Sequence, residues 1–235
     1  MRLHLIVASA ALVAGCATAG QDTRATEPHP DIDDAAVASA VDIRAMGCTS
    51  DPIRGAGAVI EGGYVLTAAH VVTGAHTITV RPASPEAADP IDAHIVAIDP
   101  GNDLALLSTP GHELQELPLG RGAGNDRGIA IVFRNRAAVA QPYVITRPVR
   151  VRILDIYHHN TVTRSGYQVA MTIEPGDSGA VLVGPTGTAV GVLYAKSQGT
   201  DNRAWASSTS TVPSLIAGAR GVDPAVGIDP GPCAG

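Results

Sequence analysis

Three side chains at the ends of apolar segments could together transfer an acyl group. Ser178 lies in the loop EPGDSG (174–179), between two apolar segments. A serine hydroxyl is a poor nucleophile until a base removes its proton. His70, in the segment YVLTAAHVV (64–72), follows two alanines that allow a sharp turn at the end of a strand. The pattern therefore predicts a serine nucleophile with a histidine base.

A carboxylate completes this candidate group. Asp103 opens the apolar segment NDLALL (102–107), so its side chain is expected to be partly buried at the mouth of a strand. A carboxylate there can accept the Nδ1–H of His70, fix the imidazole tautomer and stabilise the imidazolium. Asp99, four residues earlier, is the alternative acid.

The glycines around Ser178 predict how the loop is shaped. Glycine permits the positive φ angles that a tight loop requires, which points Oγ outward and turns consecutive N–H groups inward. We expect the N–H groups of Gly176 and Ser178 to form an oxyanion hole.

The rest of the chain consists largely of short apolar segments separated by Gly, Pro, Asn or Asp, which favours an all-β fold over βαβ units. The looser segment 110–127 divides them into two groups and predicts a crossing between two barrels. Short helices are expected at 213–217 and within 34–46, and the tail 221–235 is expected to be a strap or a disordered end. The predicted strands are 57–60, 64–67, 77–81, 91–98, 104–107, 129–133, 143–154, 167–173, 180–183 and 189–194.

The first residues have the features of an export signal. A positive start is followed by an apolar stretch that is too short to span a membrane, and small residues precede Cys16. The segment LVAGC (12–16) resembles the bacterial lipobox, which implies a signal peptide over 1–15 and a lipid anchor on Cys16 in the cell envelope. The alternative is an ordinary cleavable signal. Residues 16–45 are expected to form a polar, flexible tether.

The segments VLTAAHV (65–71), NDLALL (102–107) and GDSGA (176–180) resemble, in this order, the three catalytic signatures of the chymotrypsin-like (trypsin-like) serine proteases. The resemblance covers about residues 45–220. It implies two perpendicular, six-stranded antiparallel β-barrels, at about 50–115 and 125–205 within a domain 46–220, and a site in the cleft between them.

The activity implied by this resemblance is that of a serine endopeptidase that acts on protein or peptide substrates. No cofactor and no metal ion are expected. The alternative is a non-catalytic surface lipoprotein that uses a protease fold as a binding module.

The resemblance also assigns a substrate pocket. Its base would lie six residues before the nucleophile, at Thr172, and its opposite wall would come from Tyr194, Ala195 and Lys196. Thr172 has no charge to pair with Arg or Lys in a substrate. We therefore expect cleavage after small or medium uncharged residues, with an acidic preference as the alternative.

One departure from the family concerns activation. In trypsin-like zymogens a freed amino terminus pairs with an aspartate that corresponds here to Asp177. No Ile-Val-Gly-Gly-like segment precedes Gly57. Lipid on Cys16 would also block this route unless the tether were cut. A trypsin-like zymogen switch is therefore not expected.

Two cysteines remain once Cys16 is assigned to lipid. Cys48 and Cys233 lie at opposite ends of the expected domain. An oxidising compartment permits a disulfide between them, and the even number favours it. Two unpaired thiols are the alternative.

Composition excludes other functions. The net charge of −6 and only seven aromatic residues provide neither a basic stripe for phosphates nor stacking platforms for bases. Nucleic acid is therefore not expected as a partner, and the oligomeric state is left open. The arginines of the second group of strands, Arg147, Arg150, Arg152 and Arg164, are expected to lie on a solvated strand face.

Overall fold

The computed structural model describes residues 30–83, 89–197, 199–200 and 202–235, with the backbone alone for residues 30–33. The predicted signal peptide, Cys16 and the first part of the predicted tether, up to residue 29, lie outside the described residues. The tether prediction is wrong for residues 30–45, because they form a helix and the first strand. Within the described part of the chain, no helix is both long and apolar enough to cross a membrane.

The first barrel is a closed antiparallel sheet with the strand order β1-β2-β3-β6-β5-β4. A helix, α1 (Pro30–Ser39), precedes it, and a short helix, α2 (Ala69–Val72), follows β3. Fully buried aliphatic side chains such as Ile43, Leu66 and Leu106 fill its interior. The strands of the first barrel are β1 (Ala40–Met46), β2 (Ile53–Ile60), β3 (Tyr64–Thr67), β4 (Thr77–Pro82), β5 (Ile91–Asp99) and β6 (Leu104–Ser108).

The second barrel is also closed, with the order β10-β11-β12-β9-β8-β7. Tyr143, Ile145 and Leu193 are almost completely buried in its core. A final helix, α3 (Val212–Ala219), follows its last strand. The strands of the second barrel are β7 (Arg127–Arg134), β8 (Ala137–Leu154), β9 (Thr161–Ala170), β10 (Val181–Val183), β11 (Ala189–Lys196) and β12 (Arg203–Ser208).

The predicted all-β fold of two six-stranded barrels with a short C-terminal helix is confirmed. The helix expected within 34–46 is wrong for its second half, because residues 40–46 form β1. Val41, Ile43 and Ala45 point into the core while the charged residues between them do not. The first barrel thus begins before residue 46. In the second barrel, β12 was not predicted because its sequence RAWASS contains no β-branched residue.

The crossing predicted at 110–127 joins β6 to β7. It is fixed to both barrels by two isolated parallel bridges, Leu117 to Ile60 in the first barrel and Leu119 to Ala189 in the second. The Leu117 side chain is only 1% exposed. This segment therefore helps to hold the two barrels against each other.

The β8–β9 hairpin is longer than the barrel it belongs to. β12 pairs only with residues 166–170 of β9, whereas β8 pairs with β9 as far as Thr161. Residues 150–165, which we call the hairpin arm, therefore extend beyond the second barrel. At the tip of the arm, the N–H of Ile156 donates to the carbonyl of Pro100 in the first barrel at 3.2 Å.

The tail after α3 is a strap over the first barrel. The N–H of Ile228 donates to the carbonyl of Ile95 on β5 at 2.7 Å, and the last residue, Gly235, donates to the carbonyl of Ile156 in the hairpin arm at 2.9 Å. Between these contacts, Cys233 forms the expected disulfide with Cys48, with a Cα–Cα distance of 5.7 Å. The strap alternative predicted for the tail is the one observed.

Removal of this disulfide should lower stability strongly. The bond joins residues 185 positions apart, so it removes much of the entropy of the unfolded chain, up to about 5 kcal/mol in the chain-entropy account. The double variant Cys48→Ala/Cys233→Ala should unfold at a lower denaturant concentration than the oxidised wild type. Reduced wild-type protein is the matched control and should follow the double variant. An unchanged midpoint in both would contradict this role.

Candidate active site

His70 lies at the start of the short helix that follows β3. Ala68 and Ala69, directly before it, are completely buried, so larger side chains at these positions would have no space. The His70 side chain remains 29% exposed. The turn at the end of β3 therefore presents the imidazole at the surface of the first barrel.

Asp103 lies in the turn between β5 and β6, where its backbone has a φ of 55°. Aspartate tolerates this left-handed conformation better than most residues. Its Oδ2 is 2.8 Å from Nδ1 of His70, and its Oδ1 accepts the backbone N–H of His70 at 2.9 Å. Two contacts with one residue fix both the position of the carboxylate and the orientation of the imidazole.

The charge state of Asp103 follows from its surroundings. Burial acts to raise the pKa of Asp103, but the hydrogen bonds and charge of His70 and the charge of Arg164 outweigh it and hold this pKa below its ordinary value. Asp103 is therefore a carboxylate at neutral pH and accepts the Nδ1–H of His70. This leaves Nε2 of a neutral imidazole free to take a proton.

Asp99, the alternative acid, has another role in the structure. Its carboxylate accepts the backbone N–H of Asn102 at 3.0 Å and the Asn102 side-chain amide at 2.7 Å. Asp99 thus stabilises the turn that leads to Asp103. It makes no contact with His70 among the described hydrogen bonds.

The second barrel holds the turn that carries Asp103. Three consecutive carbonyls of this turn accept hydrogen bonds from it: Pro100 from the backbone of Ile156, Gly101 from Arg164 Nε, and Asn102 from the Ser207 hydroxyl. The second barrel therefore helps to position Asp103, although Asp103 belongs to the first barrel by sequence.

Ser178 lies in a loop that is fixed on both sides. Its carbonyl accepts the N–H of Ala56 on β2 at 2.8 Å, and the N–H of Gly179 donates to the carbonyl of Leu193 on β11 at 2.8 Å. A Cβ on Gly179 would lie 2.1 Å from the carbonyl oxygen of Ala56. Only glycine allows the loop to approach β2 this closely, so Ser178 is held in the cleft between the barrels.

The backbone before Ser178 forms a tight turn. The N–H of Asp177 donates to the carbonyl of Glu174 at 3.1 Å, and Gly176 has a φ of 99° at the third position of this turn. Among the described residues, neither the N–H of Gly176 nor that of Ser178 has a hydrogen-bond partner. These two donors are therefore unpaired within the described residues, and their role as an oxyanion hole stays a prediction.

The described part of the chain contains no hydrogen bond between the Ser178 hydroxyl and His70. Such contacts are often long in enzymes without bound substrate and shorten when the substrate binds. The His70–Asp103 pair is thus formed, and the loop that carries Ser178 is bonded to β2 of the first barrel and to β11 of the second. This arrangement has the parts needed for acyl transfer.

A family profile described as a trypsin-like peptidase domain matches residues 55–192, which is more than half of the chain. The chain belongs to the trypsin-like peptidase family. The matched region includes the three residues of the candidate site, and the two barrels correspond to the fold that the sequence signatures implied.

Solved structures agree with this assignment. The peptidase is 26% identical to the active form of the Rv3671c protease from M. tuberculosis, with a TM-score of 0.77 over 87% of this chain and 89% of that chain. It is 27% identical to the inactive form of Rv3671c protease, with a TM-score of 0.66 over 80% and 91%.

The HtrA-type protease AlgW with a tripeptide is 24% identical, with a TM-score of 0.67 over 81% of this chain and 62% of the AlgW chain, and it supports the fold alone. No curated protein sequence matched the chain. Together with the family assignment, the Rv3671c protease structures identify the chain as a serine endopeptidase.

Arg134, which sequence reasoning missed, fixes the nucleophile loop of the peptidase. Asp177, directly before Ser178, is fully buried, and Arg134 at the end of β7 donates to both of its carboxylate oxygens, with an Nη2–Oδ2 distance of 2.9 Å. The carboxylate also accepts the N–H of Glu174 at 2.8 Å. These bonds hold the turn that carries the Gly176 and Ser178 N–H groups. Asp177, which corresponds to the aspartate that a freed amine binds when a trypsin-like zymogen is cleaved, thus has Arg134 as its partner here.

The predicted substrate-binding residues occupy different environments. Thr172 is exposed, and its carbonyl accepts a hydrogen bond from the Gln141 side chain. The ring of Tyr194 lies against a buried arginine, Arg164, with the guanidinium carbon 4.5 Å from the ring centroid. Ala195 is half-buried and Lys196 is exposed, both at the end of β11. Their roles in substrate binding stay predictions.

Proposed function

We propose that Ser178, His70 and Asp103 are the catalytic triad of this serine endopeptidase. His70 Nε2 takes the proton of the Ser178 hydroxyl while Oγ attacks the carbonyl carbon of the scissile peptide bond. The carbonyl oxygen becomes an oxyanion, which accepts hydrogen bonds from the N–H groups of Gly176 and Ser178. Asp103 stabilises the imidazolium that forms on His70.

The second half of the reaction uses the same groups. The imidazolium donates its proton to the leaving amine, the C–N bond breaks, and Ser178 carries the acyl group as an ester. A water molecule then gives its proton to His70 and attacks the ester, and the carboxylic acid product leaves as the proton returns to Ser178. No cofactor takes part in this scheme.

The observation that carries this proposal is the double contact between Asp103 and His70. The bonds at 2.8 Å to Nδ1 and 2.9 Å to the backbone N–H select the tautomer in which Nε2 is the base. The unpaired N–H groups of Gly176 and Ser178 give further support.

Labelling with a fluorophosphonate probe tests the proposal directly. The probe forms a covalent bond only with an activated serine hydroxyl, so the wild type should be labelled and Ser178→Ala should not. Ser214→Ala removes an exposed serine on α3 and is the matched control, which should be labelled like the wild type. Peptide mapping should place the label on Ser178. An unlabelled wild type with a native fold would favour the non-catalytic binding module.

We propose in addition that the chain is a lipoprotein anchored through Cys16 outside the cytoplasm. The lipobox-like segment 12–16 supports this, since the cysteine follows small residues at the expected cleavage site. Intact-mass measurement should find a mature chain that begins at Cys16 and carries acyl groups. Cys16→Ser should release the protein from membranes without changing the activity of the domain. A mature N-terminus elsewhere, without acyl mass, would overturn the anchor and leave the triad unaffected.

A further inference from the structure

Arg164 is the largest departure from the sequence-based expectation of a solvated strand face. Its side chain is only 4% exposed. The prediction is wrong for this arginine because the hairpin arm places it against the turn between β5 and β6 of the first barrel. Burial of a charged group is unfavourable unless other groups compensate it. The contacts that compensate Arg164 therefore indicate its role.

Two of these contacts are with Asp103 or with the turn that carries it. Nε donates to the carbonyl of Gly101 at 2.9 Å, two residues before Asp103. Nη1 lies 3.7 Å from Asp103 Oδ2, the same oxygen that faces His70 Nδ1. The guanidinium also lies over the Tyr194 ring, with its carbon 4.5 Å from the ring centroid, a cation–π contact. Arg164 thus contacts both the proposed acid of the triad and an aromatic ring.

Within the described residues, three titratable groups face Asp103. His70 faces it from the first barrel, and Arg164 on β9 and the neutral Tyr194 phenol on β11 face it from the second barrel. With a neutral imidazole, Asp103 and Arg164 compensate each other. When the His70–Asp103 pair takes up a proton, the pair becomes neutral and the positive charge of Arg164 remains without a counter-charge.

We propose that Arg164 is a positioning residue of this active site: it holds Asp103 ionised and directed at His70, and it lowers the pH at which the His70–Asp103 pair becomes protonated and inactive. This inference rests on the proposed triad. Its basis is that a buried positive charge next to Oδ2 disfavours proton uptake by the pair, whichever of the two residues binds the proton.

The sign of the effect follows from that charge. Without it, the pair binds a proton more tightly, so the base is lost at a higher pH. Neutral replacements of Arg164 should therefore move the acid limb of the activity profile upward by about one to two pH units. The wild type keeps its activity further into the acid range than such variants do.

The test measures the rate of fluorophosphonate labelling and kcat/KM for a peptide substrate between pH 4 and 9. Arg164→Met and Arg164→Gln remove the charge, and only the glutamine retains a donor for the Gly101 carbonyl. Arg164→Lys retains the charge without the planar stack on Tyr194. Arg152→Gln removes an exposed arginine from the same hairpin arm and is the matched control. Because unfolded chains do not react with the probe, a variant that folds only in part still gives a profile.

We expect the acid limb to move upward in both neutral variants and to stay at the wild-type position in Arg164→Lys and Arg152→Gln. An unchanged acid limb in the methionine and glutamine variants would overturn the role of Arg164. A shift in the lysine variant as large as that in the methionine variant would also overturn it, because the charge would then not be the cause. Failure of the proposed triad is distinguishable, since the wild type itself would then not be labelled at Ser178.

Discussion

Replacement of His70 by alanine should lower kcat by about six orders of magnitude, the scale observed when a triad loses its base. Without the imidazole, no group accepts the Ser178 proton during attack. The double variant Ser178→Ala/His70→Ala should lose little more than either single variant, because the triad acts as a unit and its losses do not add. Single-turnover cleavage of a peptide substrate measures all three.

The matched control for this change is His76→Ala, which removes an exposed histidine of the first barrel outside the cleft. Its turnover should equal that of the wild type. Circular dichroism should show native folds for all variants, since His70 is partly exposed. A His70→Ala variant that retains a tenth of the wild-type activity would dismiss this histidine as the base.

Asp103→Asn should lower turnover by about 10⁴, the scale associated with this change in Ser-His-Asp triads. The geometry shows why. The backbone N–H of His70 now donates to Oδ1, so the asparagine oxygen should take that position and turn its NH₂ group towards Nδ1. Nδ1 must then accept, which places the imidazole proton on Nε2. A protonated Nε2 cannot take the Ser178 proton.

Asp99→Asn is the control for this second prediction. An amide at position 99 can still accept one of the two hydrogen bonds from Asn102, so the turn should survive and activity should fall much less than in Asp103→Asn. Comparison of kcat for the two variants assigns the acid. Near-normal turnover in Asp103→Asn together with a severe loss in Asp99→Asn would transfer the role to Asp99.

The parts of the fold that the sequence predicted are those encoded by neighbouring residues. Alternating and continuous apolar segments marked ten of the strands, and three short signatures marked His70, Asp103 and Ser178. The strands β1 and β12 escaped because alanine and charged or small polar residues make up much of them. Their strand geometry comes from pairing with neighbours rather than from local preference.

The contacts that position the site were not predictable, because they join residues far apart along the chain. Arg134 and Asp177 are 43 residues apart, and Arg164 and the Gly101 carbonyl are 63 apart. An arginine on a strand normally lies in solvent, so burial of Arg164 depends on how far the hairpin arm reaches across the barrel boundary. The residues of the hairpin arm do not themselves show how far the arm extends along the first barrel.

The ion pair between Arg134 and Asp177 also bears on how the nucleophile loop becomes ordered. In a trypsin-like zymogen, cleavage creates the charged amine that orders the active site. Here both partners of the ion pair are side chains of the folded domain. Ordering of the nucleophile loop through this pair therefore requires no newly created amino terminus.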